Sequence, residues 1–469
     1  MSVPAIRRAP PARLDIETHV LVIGAGACGL VASLAAHDDG AEVVVVERDA
    51  SPSGSTSMSS GFIPAPATAA QRAAGIADDD ASRFEADIQA KAKGRAVPEL
   101  ARLAANEIGP ALDWLADAHG LEWVVLTDFL YPGHSRHRMH AVPEKTGTAL
   151  MARLSAAVEA CDIPVVTEAL ARGLFVGDDD AIRAVEIERP DGKTEIIGCK
   201  ALILACNGYG GNPELVARHI PEMADALYYG HAGNTGDALL WGDALGARTR
   251  HLTAYQGHGS LAHPHGVLIS WALMMEGAVQ VNAAGERFSN EHGGYSEQAV
   301  AVLAQPGGIA WNIFDARIHA FARAGFPDYR DAMEAGAIRE GETVADLATA
   351  TGLPEAALAE TLETVARFQS GAEADPFGRA FTERPALAGP FYAVKVTGAL
   401  FHTQGGLMID ATARALPASG EPFPNNLYAA GGAACGVSGP DVSGYLSGNG
   451  LLTAIGFGRI AGREAAKGA

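Results

Sequence analysis

Three glycines in the spacing G-x-G-x-x-G are the residues of this chain best suited to bind a pyrophosphate. They are Gly24, Gly26 and Gly29, and the acidic residue Glu47 follows the last of them by 47 − 29 = 18 residues. Glycines let a pyrophosphate approach the backbone, and the free N–H groups at the start of a helix attract its negative charge. Glu47 is placed to accept hydrogen bonds from ribose hydroxyls. The spacing therefore predicts a dinucleotide site, and the alternative is an α/β turn that binds no nucleotide.

The segments around these residues are those that such a site requires. His19–Ile23 is a short apolar run typical of a buried parallel strand, Ala27–Ala36 has the composition of a helix, and Glu42–Val46 is a second strand. The glycines lie between the first strand and the helix. This context favours a dinucleotide-binding βαβ unit over a chance repeat of glycines.

Later segments predict that the nucleotide domain is discontinuous in sequence. Ala201–Ala205 is another buried-type strand, Asn426–Gly432 runs from a strand into glycines, and Gly448–Glu464 is a helix that opens on a glycine. A second glycine-rich loop at the cofactor suits an extended dinucleotide such as FAD. We predict an α/β fold in which residues 1–250 and 390–469 form a Rossmann-like (ββα three-layer) FAD-binding domain. Residues 251–389 are predicted to form an inserted α+β capping or substrate domain.

The remaining patterns predict helices, short strands and loops. We expect helices in residues 80–120 and 340–370, strands near 163–166, 174–176 and 182–188, a hairpin turn at Asp191-Gly192, a polar loop at Pro132–Val142 and a loose leader at Met1–Pro11.

Net charge and cysteine spacing restrict the class of protein. The 469-residue chain has a formal charge of −20 at pH 7, which argues against nucleic acid or an anionic membrane surface as a partner. No apolar run has the length of a membrane span, and no export signal is recognisable. The cysteines show no spacing typical of a metal, haem or disulfide site: Cys28, Cys161, Cys199, Cys206 and Cys435. We expect reduced thiols, no metal and a cytoplasmic location, and the sequence leaves the oligomeric state open.

Short motifs occur along nearly the whole chain in a fixed order. Besides the glycine fingerprint with Glu47 they are Gly54-Ser55-Thr56 with Ser60-Gly61, Ala205 to Gly211, Thr235-Gly236-Asp237, Gly285-Glu286-Arg287-Phe288 with Asn290-Glu291, His402-Thr403 with Gly405-Gly406, Asn426 to Gly432, and Gly448-Asn449-Gly450 through Gly458-Arg459. Together they resemble the flavoprotein superfamily of fumarate reductase, succinate dehydrogenase and 3-ketosteroid dehydrogenases. The resemblance implies the fold of that superfamily and FAD as the cofactor.

The resemblance also implies a set of cofactor-binding residues. They are Gly24, Gly26, Gly29, Glu47, Arg48, Gly54, Ser55, Thr56, Ser60, Gly61, Asn207, Gly208, Asp237, Gly432, Asn449, Gly450 and Leu451. Succinate dehydrogenases attach FAD through a histidine after the second strand, whereas residues 54–61 of this chain read GSTSMSSG. We therefore expect FAD to be bound non-covalently.

Departures from the fumarate reductase pattern concern the substrate. Those enzymes carry a proton-donating arginine five residues after the Asn of R-F-x-N-E, and a substrate-clamping arginine four residues before the Asn of the last glycine-rich stretch. Here these positions are Tyr295 and Tyr445. In those enzymes a glutamate and an arginine upstream of R-F-x-N-E relay the proton, and the corresponding positions here are Trp271 and Met274. The chain thus keeps the flavin motifs and lacks the dicarboxylate clamp.

The segment from Tyr445 to Gly450, YLSGNG, instead resembles the steroid branch that installs a Δ4 double bond next to a ketone. This resemblance implies that Tyr445 is the base, with Ser447 and Tyr295 as its proton relay. Two histidines that contact dicarboxylate in fumarate reductases persist as His258 and His402. These five residues are the candidate catalytic set.

Each of these roles has a structural alternative. Tyr445 could pack beneath the flavin, Ser447 could cap a helix, and Tyr295 could lie on a surface loop. The two histidines could be hydrogen-bonded core residues. A cluster of basic side chains is formed by His134, Arg136, His137, Arg138 and His140. We expect it to be a solvated loop face, and the alternative is an anion site.

The residue types predict desaturation of a cyclic ketone, either a 3-ketosteroid or a smaller cyclohexanone-like ring. A base takes the proton from Cα, flavin N5 receives the hydride from Cβ, and backbone N–H groups near Gly448–Gly450 stabilise the enolate oxygen. Without a haem or iron–sulfur motif, electrons would pass to an external acceptor. The alternative is a fumarate- or urocanate-reductase-like ene reductase acting on an unsaturated acid, and a third hypothesis is a flavin-binding sensor or scaffold without catalysis.

Overall fold

The structure, a computed structural model, describes residues 5–381, 384–419 and 423–468. The strands are β1 (Ala5–Arg7), β2 (Ile16–Ile23), β3 (Val43–Val46), β4 (Ile63–Pro64), β5 (Val124–Val125), β6 (Met139–Ala141), β7 (Val165–Val166), β8 (Leu170–Val176), β9 (Ile182–Glu188), β10 (Thr194–Leu204), β11 (Leu227–Tyr228), β12 (Thr249–Arg250), β13 (Tyr255–Ala262), β14 (Val267–Leu268), β15 (Val279–Val281), β16 (Ile309–Asp315), β17 (Ile338–Gly341), β18 (Phe391–Thr403), β19 (Gly406–Leu407) and β20 (Leu427–Ala429). The helices are α1 (Ala27–Asp38), α2 (Gly54–Ser57), α3 (Ala69–Ala73), α4 (Ala81–Lys91), α5 (Pro98–His119), α6 (Gly147–Ala160), α7 (Pro213–His219), α8 (Asp237–Leu245), α9 (Ala272–Met275), α10 (Tyr295–Leu303), α11 (Ala316–Gly325), α12 (Pro327–Glu334), α13 (Val344–Thr351), α14 (Glu355–Gln369) and α15 (Asn449–Lys467).

The first sheet brings four loops to one edge. Its strand order is β1-β8-β9-β10-β2-β3-β7, and β20 also pairs with β10. Strands β2, β3, β10 and β20 run parallel, with Ile23 opposite both Val46 and Leu204. Because parallel strands end together, the residues that follow them meet at the carboxyl edge of the sheet, where α/β folds bind their ligands. The predicted α/β fold with a βαβ unit is confirmed.

Helices α1 and α15 lie together against this sheet. Residues Ala27 to Ala36 of α1 are all buried, because the sheet covers one face of the helix and α15 covers another. A Cβ at Gly462 would lie 2.1 Å from the carbonyl oxygen of Ala32, so the two helices meet backbone to backbone. Gly458 of α15 lies beside Cys28 near the start of α1, so α15, which begins at Asn449, extends beyond the N-terminus of α1.

The second sheet is mainly antiparallel and carries the other side of the site. Its order is β14-β13-β18-β16-β15, and β11 and β17 pair with β18. Helix α10 packs closely on β13 and β18, since a Cβ at Gly398 would lie 2.3 Å from the carbonyl oxygen of Ala299. This close packing fixes Tyr295, the first residue of α10, over strand β13.

The predicted domain boundaries do not coincide with the limits of the second sheet. Strands β11 and β18 pair with each other in the second sheet, although both lie outside residues 251–389. The division into 1–250 with 390–469 and 251–389 stays a prediction. The strand pairing favours a later second boundary, after Thr403.

Two predicted loops contain strands. Within the expected polar loop 132–142, residues 139–141 form β6, which pairs antiparallel with β4 and β5. Within the expected leader, residues 5–7 form β1, which pairs in parallel with β8, while residues 1–4 lie outside the described residues. The loop and leader predictions were wrong for these residues because they relied on polar or proline-rich composition. Backbone pairing with a neighbouring strand stabilises a short extended segment whatever its composition. No helix in the described segments combines the length and the apolar character needed to cross a bilayer.

Candidate active site

A large cavity lies between the carboxyl edge of the first sheet and the second sheet. It encloses about 1800 Å³, part of it open to solvent. Its lining runs from the glycine turn after β2 to the first turn of α15, so one space connects the predicted cofactor residues with the predicted catalytic residues.

Most of the residues predicted to bind FAD line this cavity. Those that do are Gly24, Gly26, Glu47, Arg48, Gly54, Ser55, Thr56, Ser60, Asn207, Asp237, Gly432, Gly450 and Leu451. The other predicted residues, Gly29, Gly61, Gly208 and Asn449, are not among the lining residues.

These four residues support the cavity wall from behind. A Cβ at Gly29 would lie 1.8 Å from the carbonyl oxygen of Gly24, and one at Gly208 would lie 1.9 Å from Oγ1 of Thr403. Gly61 is similarly restricted by the backbone of residue 146. The three glycines permit close packing because they lack a side chain. Their predicted contact with the cofactor, like that of Asn449, stays a prediction.

The nucleotide end of the cavity is built around Glu47. Its Oε2 accepts a hydrogen bond from the backbone N–H of Ala25 at 2.8 Å, and its Oε1 accepts one from Asp49 N–H at 3.0 Å. The carboxylate is thus fixed across the glycine turn. It keeps unused lone pairs that can accept ribose hydroxyls, since an ionised carboxylate has about four acceptor sites.

A segment after β11 closes over this end, and sequence reasoning found only its last residue, Asp237. Oγ of Ser55 accepts hydrogen bonds from His231 N–H at 3.0 Å and from Nδ2 of Asn234 at 2.8 Å. Both residues line the cavity. The only sequence signal for them was their position just before the Thr-Gly-Asp motif.

The fit to a dinucleotide rests on the glycine turn itself. Gly26 faces the cavity, and the nearest heavy atom to a Cβ built there is Oγ1 of Thr56 at 3.8 Å. No protein atom fills the place where a side chain would stand. This open place at the start of α1 is what a pyrophosphate needs to reach the helix N–H groups.

All five predicted catalytic residues line the other end of the cavity: Tyr295, Tyr445, Ser447, His258 and His402. The ring centroids of Tyr295 and Tyr445 are 6.0 Å apart, and that of His258 lies 4.8 Å from Tyr295 in a stacked arrangement. Tyr295 is 9% exposed. The surface-loop alternative for this residue is therefore wrong, because the packing of α10 buries its first turn.

The two phenols are held in their neutral form. Burial raises the pKa of Tyr295 to about 12, although hydrogen bonding with Ser447 and Tyr445 lowers it. Burial also raises the pKa of Tyr445 well above its ordinary value, and the nearby Tyr295 adds to the shift. Hydrogen bonding from the backbone of Gly450 and Gly448 lowers the pKa of Tyr445 less than burial raises it. These backbone groups, expected to face an enolate oxygen, thus act on the Tyr445 hydroxyl here.

The two histidines are neutral near pH 7, because burial lowers the pKa of His258 to about 3 and that of His402 to about 4. Nδ1 of His258 accepts the backbone N–H of Ser260 at 3.2 Å, which assigns its proton to Nε2. His258 can therefore donate a hydrogen bond and carries no charge.

His402 is positioned by a buried chain of polar groups that sequence reasoning missed. Nε2 of Gln404 lies 3.2 Å from Nδ1 of His402, and Oε1 of Gln404 accepts Ser438 Oγ at 2.7 Å. Ser438 in turn accepts Nδ2 of Asn449 at 3.0 Å. Asn449 thus connects the start of α15 to the imidazole, which is a positioning role.

The basic cluster of the polar loop is buried, so its prediction as a solvated face is wrong for three members. His134, Arg138 and His140 are 6%, 0% and 0% exposed. Arg138 binds Asp79 at 2.8 Å and Asp87 at 2.5 Å, so its charge is already compensated. The anion-site alternative fails for Arg138 for the same reason.

The charge distribution in the cavity is uneven. Among the described lining residues, Arg48 is the one guanidinium, and it lies at the nucleotide end, where its Nη1 donates to the carbonyl oxygen of Gly233 at 2.8 Å. The end with the tyrosines is formed by aromatic and neutral polar side chains. It offers no cation to a substrate carboxylate.

A dinucleotide turn at one end and buried proton-exchanging groups at the other define an FAD-dependent oxidoreductase. The chain belongs to the FAD binding domain family, whose model matches residues 19–451. The superfamily resemblance drawn from the motifs is confirmed, and the cofactor that these residues would hold is FAD.

Known proteins of two kinds are similar to this chain. A probable fumarate reductase of Shewanella frigidimarina (strain NCIMB 400) is 32% identical over 466 residues, which are 98% of this chain and 77% of that protein. The open conformation of a flavocytochrome c3 fumarate reductase has a TM-score of 0.81 and 30% identity, covering 97% of this chain and 79% of that one. A 3-ketosteroid Δ4-(5α)-dehydrogenase of Rhodococcus jostii RHA1 has a TM-score of 0.77 and 23% identity, covering 99% of this chain and 100% of that one. This last likeness concerns the fold.

Proposed function

We propose that the protein is an FAD-dependent dehydrogenase that desaturates a cyclic ketone between its α and β carbons. The observation that carries the proposal is the pair Tyr295 and Tyr445, with Ser447, at an end of the cavity whose described lining holds no cation. Phenol and hydroxyl groups bring no fixed charge to the pocket, and Tyr445 is charged only while it is ionised as the base. A ketone needs such a neutral environment, whereas fumarate needs cations for two carboxylates.

The residues have distinct roles in this proposal. Bound non-covalently along the glycine turn, FAD supplies the acceptor for the β hydride. In its ionised form Tyr445 takes the α proton and becomes a neutral phenol, and Tyr295 and Ser447 stabilise the ionised form through their hydrogen bonds. His258, with its proton on Nε2, donates a hydrogen bond to the ketone oxygen. A positioned base of this kind contributes about 10²- to 10⁴-fold to the rate.

Anaerobic mixing of the FAD-loaded protein with saturated 3-ketosteroids and cyclohexanones tests the proposal. We expect the ketone that fits to bleach the oxidised flavin absorbance, and we expect the unsaturated ketone as product. If no ketone bleaches the flavin, while the dithionite-reduced protein rapidly reduces fumarate or urocanate, the dehydrogenase proposal is wrong.

A second candidate is reduction of an unsaturated acid, and the relatives favour it. Both the 32% identical protein and the structure with a TM-score of 0.81 are named fumarate reductases. The same phenol could donate the α proton in that direction. This candidate requires a cationic group for the acid, which the described lining of the tyrosine end lacks.

The pH dependence should differ between the two directions. Dehydrogenation needs ionised Tyr445, and because its pKa is raised well above 10, its ionised fraction grows tenfold per pH unit below that pKa. We expect kcat/KM for desaturation to rise by up to about tenfold per unit between about pH 7 and 9. Reduction uses the protonated phenol and should be flat in that range. The histidines add no step, since their lowered pKa values of about 3 and 4 leave them neutral. Steady-state profiles in both directions check this, and a desaturation optimum near pH 6.5 would contradict it.

The cellular setting stays a prediction. We propose an external electron acceptor and a cytoplasmic location, in line with five free and scattered cysteines. Reoxidation of the reduced protein by quinones, dyes and oxygen identifies the class of acceptor.

A further inference from the structure

A second pocket adjoins the tyrosine end of the active cavity. It comprises about 760 Å³, part of it open to solvent, and its lining includes Tyr131, His134, His292, Arg379 and Arg384. Tyr131 lines both spaces. His134 contributes to the second pocket, and its Nε2 lies 3.0 Å from the carbonyl oxygen of Ser447, a residue of the active cavity. A ligand in the active cavity therefore has this side pocket immediately beside it.

Arg379 lines the side pocket and carries one buried donor that has no partner among the described residues. Its side chain is 1% exposed. Nη1 donates to Glu291 and to the carbonyl oxygen of Ala278, and Nη2 donates to the carbonyl oxygen of Met274. Its Nε–H has no partner among the described residues. A buried N–H without a partner costs free energy unless a ligand accepts it.

Counted over the described residues, the charged groups around the side pocket leave one cation in excess. Arg379 and its neighbour Arg287 face two carboxylates, those of Glu291 and Asp375. Arg384 also lines the pocket, and it shares its carboxylate partner with another arginine. His134 and His292 add no charge near pH 7, because burial lowers the pKa of each to about 4.

Arg384 and Arg317 bind one and the same carboxylate, that of Glu276. Arg384 binds Glu276 at 3.1 Å, and Arg317 binds the same carboxylate at 3.0 Å. One carboxylate compensates one guanidinium, so within the described part of the chain one positive charge is left over. Arg384 lines the pocket and Arg317 does not.

We propose that this side pocket binds a carboxylate carried by the substrate, with Nε of Arg379 and the guanidinium of Arg384 as its donors. The inference rests on the proposed function, and it defines the substrate class as a cyclic ketone that bears an acid. The ring lies among the tyrosines of the active cavity, and the carboxylate reaches past Tyr131. Cations are then needed in the side pocket and not beside the reacting carbons, which accounts for the neutral tyrosine end.

Arg384→Gln tests the proposal, with Arg317→Gln as the matched control. The two arginines bind the same carboxylate and are similarly exposed, 39% and 37%, and only Arg384 lines the pocket. We expect Arg384→Gln to raise KM for cyclohexanones with a ring carboxylate by about 10- to 100-fold, because a charge-assisted hydrogen bond is lost. Cyclohexanone and its carboxamide analogues should keep their KM. Arg379→Lys, which keeps the charge and removes the Nε donor, should give an intermediate loss.

A binding measurement separates this inference from the proposed function. Saturated cyclohexanecarboxylate has no ketone and cannot react, and its binding is followed by the shift that it causes in the flavin spectrum. We expect it to bind the wild-type protein and the Arg317→Gln variant alike, and Arg384→Gln at least about tenfold more weakly. Failure of every ketone to react, with this pattern intact, would overturn the proposed function alone.

Three results would overturn the side-pocket proposal. The first is equal binding of cyclohexanecarboxylate and its carboxamide, and the second is an equal loss in Arg317→Gln and Arg384→Gln. The third is stimulation of neutral-ketone turnover by free acetate to the level seen with the ring carboxylate, because the pocket would then take a separate anion.

Discussion

Tyr445→Phe is expected to lower turnover by about 10²- to 10⁴-fold while FAD stays bound. The change removes one oxygen and keeps the ring that packs against His402, 5.7 Å away between centroids. The hydroxyl is the group that exchanges the α proton in the proposed reaction. Because the phenol is buried and neutral, its loss leaves no unpaired charge. Single-turnover flavin reduction, measured with FAD content and the unfolding temperature, reports the effect on chemistry separately from any effect on folding.

Tyr329→Phe is the matched control for Tyr445→Phe. Tyr329 is fully buried, its hydroxyl lies 2.8 Å from Nδ1 of His319, and it does not line the cavity. We expect it to lose stability, by about 0.5–1.5 kcal/mol for one hydrogen bond, and to keep turnover. A Tyr445→Phe protein that binds FAD and turns over at the wild-type rate would support the alternative in which Tyr445 only packs beneath the flavin.

The sequence alone predicts the nucleotide-binding part of the molecule, because glycine spacing and the order of strand and helix determine that part. Gly24 and Gly29 lie between an apolar strand and a helix, and the first has a φ of +104° that favours glycine. Glu47 follows the second strand at the expected distance. In a parallel sheet these residues must meet at one edge, so spacing alone predicts their contact. The motif-based choice of Tyr295 and Tyr445 likewise brought together two residues 150 positions apart, by 445 − 295.

The sequence was not sufficient where a side chain's role depends on a distant partner. Arg138 in a His- and Arg-rich loop is typical of a solvated surface, yet Asp79 and Asp87 arrive from another part of the chain and allow it to be buried. Arg379 and Arg384 lie in a stretch with no recognisable motif. Their proximity to the active cavity arises from the folding of the inserted region. Periodicity contains no information on such pairings, which only the tertiary structure provides.

The positive charge near the active cavity lies on a different wall from the two tyrosines. Positions 295 and 445 carry no arginine, and by itself that absence favours a substrate without a carboxylate. The side pocket supplies guanidinium groups on a different wall, at Arg379 and Arg384. A substrate with both a ketone and a carboxylate would suit the two tyrosines and the two arginines together. It would also account for the similarity of this chain to fumarate reductases.

Gly26→Ala is expected to weaken FAD binding by about 10- to 200-fold without destabilising the protein, since an added methyl group in a close-fitting site costs about 1–3 kcal/mol. Gly26 has a φ of −74°, which alanine adopts readily, and its Cβ would meet nothing closer than Oγ1 of Thr56 at 3.8 Å. The methyl group would occupy the place that we assign to the pyrophosphate. Titration of the FAD-free protein with FAD, followed by quenching of flavin fluorescence, measures the affinity.

Gly29→Ala separates this effect from damage to the fold. Its Cβ would lie 1.8 Å from the carbonyl oxygen of Gly24, behind the cavity wall, so strand β2 and helix α1 must move apart. We expect the free energy of unfolding of the FAD-free protein to fall by about 1–3 kcal/mol, as overpacking usually costs. If Gly26→Ala instead lowered stability and left FAD affinity unchanged, the pyrophosphate would not lie over the start of α1. The whole orientation of the cofactor, and with it the assignment of the tyrosine end to the substrate, would then have to be reversed.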